Sequence, residues 1–260
     1  MIRKIKHALC ARVNRVYGRV KLKARFREGE AGMLFIIGHM RTGSTLLVHI
    51  LCNNPEIIGY GETHYAYSKQ SDIYASALKI YEKMGSKPKG RYALDKVIHQ
   101  ELIKDDRVIH HPAVQVIFLI RSPAESLSSM LEAEVVPSPE GAVEHYIRQL
   151  TWVSRLTSQV EYESTAFLTY DNIVHKTDEV LDGLGEFLDL KKPLRSEYNT
   201  MESTDVYGIG DPGPHIHAEE VKKDIDRTLD PRVEPYLTET RSLFNDCLEN
   251  LRKSCIQVAS

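Results

Sequence analysis

The chain has 260 residues and a mass of 29.6 kDa, with 34 Lys+Arg against 36 Asp+Glu and a formal net charge of −2. A hydrophobic share of 42% with 15 Gly is ordinary for a globular domain and excludes collagen-like and disordered chains. No apolar run approaches the roughly 20 residues that a membrane-spanning helix needs. Residues 1–32 carry ten basic side chains (Arg3, Lys4, Lys6, Arg12, Arg15, Arg19, Lys21, Lys23, Arg25, Arg27) and two acidic ones, Glu28 and Glu30, a net of +8. The other 228 residues, with 24 basic and 34 acidic, carry −10. A basic arm therefore precedes an acidic body, and such a split points to an anionic partner.

Within the arm, Ile2, Ile5, Leu9, Val13 and Val16 fall at spacings of 3, 4, 4 and 3, which predicts a helix. From Val20 to Phe26 apolar and basic residues alternate, which predicts an extended segment. Gly32 closes the arm, so the domain is expected over 33–260. The basic start has no apolar stretch behind it, so no secretory signal is expected. Cys10, Cys52, Cys247 and Cys255 form no CxxC, which predicts reduced thiols in a cytoplasmic protein. The 11 His contain no HExxH, and no metal site is expected.

The body alternates strands and helices. Continuous apolar runs at Met33–Ile37 and Val114–Ile120 suit strands buried on both faces of a parallel sheet. Further strands are predicted at Ile57–Tyr60, Tyr92–Ile98 and Thr165–Tyr170. Helices are predicted at Ser44–Leu51, Asp72–Met84, after Pro123, over 140–160, at Asp178–Leu190, over 218–228 and over 232–252. Residues 201–216, rich in Gly and Pro, read as a loop. The pattern predicts a single α/β domain with a mainly parallel central sheet flanked by helices.

After the first strand comes GHMRTGST, Gly38 to Thr45, which fits the phosphate-binding frame G-x4-G-x-[ST] between a buried strand and a helix. Backbone N–H groups of such a loop and the helix N-terminus converge on one spot and make an anion cradle. Ser44 stands where a nucleotide triphosphatase has its lysine, and the cation of the loop is Arg41. The later strand ends in Arg121 and not in the metal-holding Asp of such enzymes. Both differences point away from ATP or GTP hydrolysis and towards an anionic donor used without a metal.

FIIGHMRTGSTLLVHILCNNPEI resembles the 5′-phosphosulfate loop of sulfotransferases that use 3′-phosphoadenosine 5′-phosphosulfate (PAPS), in the form seen in bacterial and carbohydrate-type members. VIFLIRSPAESLSSM supplies the family's second signature, a strand, then Arg121, then Ser129 eight residues on. The resemblance implies a P-loop-like sulfotransferase fold, a 3′-phosphate held by Arg121 and Ser129, and release of the bisphosphate PAP. It implies that Arg41, Thr42, Gly43, Ser44 and Thr45 cradle the phosphosulfate, with Arg41 at the bridging oxygen. LTYDNIVHKTDEVLDGLGEFLDL is similar to the family's late strand–helix unit, and GIGDPGPHI (208–216) to a nucleotide-closing loop. The likeness covers roughly residues 33–230 and leaves out the basic arm.

Transfer needs a base for the acceptor's proton. Glu62 in GYGETH is the first candidate, because carbohydrate-type relatives place a catalytic Glu near this point. His64 follows two residues later. Lys96 and His99 in YALDKVIHQ stand where cytosolic relatives carry Lys-x-His, here one residue longer, and Lys96 is open to a role at the sulfuryl oxygens. The acceptor pocket is expected from residues 63–90 and 130–150, whose Tyr65, Tyr67, Tyr74, Tyr81, Glu132, Glu134 and Glu144 are equally open to a plain core or surface role. The resulting expectation is a PAPS-dependent sulfotransferase acting on a hydroxyl or amine of a small-molecule, natural-product or carbohydrate acceptor, with no nucleic-acid partner. A P-loop kinase of small metabolites and a non-catalytic nucleotide-binding or membrane-surface module are the competing readings. The arm is open to packing on the body, to a homo-oligomer contact and to peripheral contact with an anionic membrane.

Overall fold

A computed structural model describes residues 18–85, 91–202, 204–206, 214–223 and 229–259. The predicted helix over 2–16, most of the 208–216 loop and the second half of the predicted 218–228 helix lie outside these residues. Within them, residues 219–223 are not helical.

Six strands form one sheet: β1 (Gly32–Gly38), β2 (Ile57–Ile58), β3 (Tyr92–Val97), β4 (Val114–Ile120), β5 (Thr165–Thr169) and β6 (Ile256–Gln257). Their order is β2-β3-β1-β4-β5-β6, and every pairing is parallel. The apolar runs of β1 and β4 are central for the expected reason. Helices cover both faces, so both sets of side chains must be apolar.

The helices divide between the faces. Residues 18–27 are helical (α1) and pack with α3 (Asp72–Lys83), α4 (Pro123–Glu132), α5 (Pro139–Thr157) and α8 (Leu237–Ser254) over Met33, Phe35 and Ile37. On the other face α2 (Ser44–Cys52), α6 (Tyr170–His175) and α7 (Thr177–Phe187) cover Leu34 and Ile36.

The expectation for the arm is corrected. The segment Val20–Phe26 is helical and not extended: Leu22 and Phe26, one turn apart, are both buried and join the core over β1. The described part of the arm is thus core structure, and β1 itself begins at Gly32. The single helix expected at Asp178–Leu190 is preceded by a separate short one, α6, started by a capping box in which Thr169 and Asn172 exchange side-chain bonds. Among the described residues no helix is long and apolar enough to cross a membrane.

This topology positions the site. After β1 the chain builds β2 and β3 on one side, then returns to lay β4 on the other. The segment following β1 enters α2 on one face, and the one following β4 enters α4 on the opposite face. A crevice opens where the two depart, at the C-terminal ends of β1 and β4, which is where open α/β sheets bind ligands.

Candidate active site

The loop after β1 follows a course that its glycines make possible. Gly38 lies against β4, and a Cβ there would meet the Leu119 carbonyl oxygen at 2.3 Å. Gly43 caps α2 at φ 86 and supplies no side-chain cap, so the first-turn N–H groups of α2 remain for a ligand. Arg41 sits at φ 62, an unusual backbone state for a residue with a Cβ. Among the described residues the buried Thr42 hydroxyl has no hydrogen-bond partner, as expected of a group meant for a bound anion.

Two cationic poles flank this loop. At the first, the Arg41 Nε donates to the Ser129 hydroxyl at 3.0 Å, and the Arg121 Nη1 donates to the Arg41 carbonyl at 3.2 Å. The fold therefore brings together Arg41, Arg121 and Ser129 from three elements. Arg121 is buried; its guanidinium lies 3.9 Å from the centre of the Tyr170 ring and pairs with Glu125 at 3.2 Å. The second pole is Lys96, buried, whose Nζ bonds the Thr45 hydroxyl at 3.2 Å and the Glu62 Oε1 at 3.0 Å.

Around Glu62 the remaining base candidates converge. Its Oε2 is buried without a hydrogen bond among the described residues, with the His64 Nδ1 at 3.8 Å and the His99 Nε2 at 4.0 Å. His64 and His99 are 48% and 33% exposed, so both reach solvent while Glu62 and Lys96, at 3%, do not. The extra residue between Lys96 and His99 does not keep His99 from this group. His64 stands at φ 50. Of the residues named for the acceptor pocket, Tyr65 is near this group, half-buried, with its N–H donating to the Thr63 hydroxyl at 3.1 Å. Tyr67, Tyr74 and Tyr81 are core residues, and Glu132, Glu134 and Glu144 are exposed on the surface.

Several side chains that sequence reasoning missed hold these parts in place. His39 is fully buried: its Nδ1 donates to the Met40 carbonyl at 2.9 Å and its Nε2 accepts from the Arg121 N–H at 3.2 Å. Burial lowers its pKa to about 3, so it is neutral and adds no charge to the loop. His145 on α5 accepts from the Met40 N–H at 3.4 Å, and burial lowers it to about 4. The Tyr146 hydroxyl donates to the Arg121 carbonyl at 2.8 Å. His49 ties α2 to the 201–204 segment: its Nδ1 is 2.7 Å from the Thr45 carbonyl and its Nε2 2.9 Å from the Thr204 hydroxyl. Tyr170, from the late strand–helix unit, is a site neighbour: its ring fills the space beside Gly43 and underlies Arg121. The position of Tyr170 at the C-terminal end of β5 was the available clue.

No family model and no curated protein sequence matches the chain. Among solved structures it is similar to the sulfotransferase domain from the Synechococcus PCC 7002 olefin synthase, with a TM-score of 0.55 and 17% identity over 86% of this chain and 94% of that one. The sulfotransferase domain from the curacin biosynthetic pathway matches with a TM-score of 0.49 and 14% identity, over 81% of this chain and 98% of the other. Mouse sulfotransferase SULT7A1 complexed with PAP matches with a TM-score of 0.45 and 11% identity, over 86% and 85%. The first of these likenesses establishes the architecture: the chain has the sulfotransferase fold.

Proposed function

We propose that this protein is a PAPS-dependent sulfotransferase, which moves a sulfuryl group to a hydroxyl or amine of a small-molecule, natural-product or sugar acceptor and releases PAP. The observation that carries the reading is the pairing of two poles across one loop. Arg41, Arg121 and Ser129 meet at one end, and Thr45, Lys96 and Glu62 at the other. A donor with anionic groups at both ends matches that spacing of charge. A nucleoside triphosphate would call for the loop lysine that Ser44 replaces.

In this reading Arg121 and Ser129 hold the 3′-phosphate, and a phosphate oxygen replaces Glu125 on the Arg121 guanidinium. The N–H groups of Gly43, Ser44 and Thr45, with the Thr42 and Thr45 hydroxyls, surround the phosphosulfate. Lys96 and Arg41 offset the charge that gathers on the leaving phosphate as the sulfur–oxygen bond to it breaks. The acceptor's oxygen or nitrogen forms the new bond to sulfur, and its proton passes to Glu62 Oε2, directly or through His99 or His64. Lys96 holds the other Glu62 oxygen and keeps the carboxylate aimed.

Labelled PAPS incubated with the protein and a mixed acceptor extract, without added metal, should yield a sulfated product by mass spectrometry. No product together with no affinity for PAP would refute the reading.

A further inference from the structure

Asp95 is a buried carboxylate beside the site that no step of the transfer uses. It is 1% exposed on β3, immediately before Lys96. Side chains alternate along a strand, so Asp95 and Lys96 leave β3 on opposite faces. Lys96 points to the α2 side, where it reaches Thr45. Asp95 points to the α3 side and takes three bonds there. Its Oδ1 accepts the Thr63 N–H at 2.9 Å, and its Oδ2 accepts the Thr63 and Tyr67 hydroxyls, both at 2.6 Å.

Thr63 directly follows Glu62. Two consecutive residues of the β2–α3 connection therefore grip two consecutive residues of the strand, Glu62 on Lys96 and Thr63 on Asp95. Between the two grips the Lys96 N–H donates to the Gly61 carbonyl at 3.3 Å. The Thr63 carbonyl is fixed as well, by the Lys79 Nζ at 3.1 Å. The chain turns sharply on either side, at Gly61 with φ 105 and His64 with φ 50. Without the grip on Thr63, the residue next to Glu62 loses its anchor on Asp95, and the Gly61 and Thr63 carbonyl bonds are left to hold this backbone. An apolar side chain at 95 would fill the same space without the cost of a buried charge, but it would hold nothing.

We propose that Asp95 is a positioning residue, which acts through Thr63 to hold Glu62 against Lys96 and present its second oxygen to the acceptor. The proposal rests on the reading of Glu62 as the base.

Asp95→Asn keeps the shape and an acceptor for the Thr63 N–H but removes the charge, and Thr63→Val removes the hydroxyl alone. Each is expected to lower kcat about 10-fold or more, because a base displaced by about 1 Å loses much of its effect. KM for the donor and affinity for PAP should stay within about 2-fold, since the donor loop is untouched. In a Glu62→Gln background, Asp95→Asn should change kcat less than about 2-fold, because its route of action is already gone. An equal loss in both backgrounds, or no loss in either, overturns the proposal. Crystal structures of the two variants give a readout independent of turnover. Glu62 is expected to leave Lys96, and a Glu62 that stays in place overturns the inference. A wild-type chain that transfers no sulfuryl group and has no affinity for PAP refutes the proposed function, and the crystal structures then decide the positioning role alone.

Discussion

On the proposed reading each charge of this site has its own task, which makes their substitutions separable. Arg41→Ala removes the loop's own cation and is expected to cost about 100-fold or more in turnover, the scale of losing one transition-state donor. Arg121→Ala should act on binding. Loss of a charged hydrogen-bonding partner weakens PAP affinity about 10- to 100-fold by calorimetry, and unchanged affinity would show that the 3′-phosphate lies elsewhere. Glu62→Gln should lower turnover about 100-fold or more and leave PAP binding intact. Asp95 gives a prediction on stability. Burial raises its pKa from 3.8 to about 6, although its bonds to Thr63 and Tyr67 pull the other way. The folded state therefore holds this proton more tightly than the unfolded chain. The stability it contributes is full below about pH 4 and is lost as pH rises through 6, a swing of about 3 kcal/mol taken in isolation. Asp95→Asn abolishes that swing. The urea midpoint of the variant should gain on wild type between pH 5 and pH 8, whatever its offset at pH 5, and a constant offset would place the Asp95 pKa near its ordinary value.

At the scale of elements, the central strands and the loop between β1 and α2 were legible because their signals are local. A run such as Val114–Ile120 has one reading once helices flank it, and Gly38 to Thr45 carries its whole frame within eight residues. The α1 segment was misread because seven residues hold too little phase. Leu22 and Phe26 are four apart, which satisfies a period of two and a helical turn alike. The two-residue β6 exists only through pairing with β5 and leaves no mark of its own. Asp95, Thr63 and Tyr170 were missed because their partners are far off in sequence; Thr63 and Asp95 lie 32 residues apart. Glu62, Lys96 and His99 came from the family pattern, and only the fold shows that they meet. The loop's backbone gives a further test. An alanine at Gly43 must hold φ 86 and would place its Cβ 2.3 Å from the Tyr170 ring. Gly43→Ala should cost about 1–3 kcal/mol in left-handed strain alone. The α2 N-terminus would move as well, so PAP affinity should fall with stability. Tyr170→Ala beside it should recover part of the stability by removing the clash, and a double variant no better than the single would locate the strain outside this contact.

For the molecule as a whole, the split between a basic arm and an acidic body first suggested an appendage with an anionic partner. The described part of the arm does not behave as one. Leu22 is 0% exposed and Phe26 4%, and the Phe26 ring lies tilted against Tyr74 of α3, with ring centres 5.3 Å apart. The basic residues Arg19, Lys21 and Lys23 of the same helix are exposed. Apolar contact and charge are thus carried by different residues of α1, and different substitutions reach them. Leu22→Ala opens a cavity under α1 and should cost about 2–5 kcal/mol in chemical unfolding. That is a large share of the roughly 5–15 kcal/mol that holds an ordinary domain together. Deleting residues 1–27 removes Leu22 and Phe26 together and should destabilise the chain severely, so a loss of activity in that variant reports on folding. Reversing Arg19, Lys21 and Lys23 to Glu leaves the buried face intact and should shift stability by no more than about 1 kcal/mol. That triple variant is the clean probe of the charge itself. Each exposed cation near an anionic bilayer contributes about 1 kcal/mol, so an arm that meets such a surface would lose vesicle binding by about 100-fold or more. Unchanged vesicle binding and unchanged mass in solution would assign α1 to the core alone, while a Leu22→Ala cost below about 1 kcal/mol would show that α1 is not docked as described.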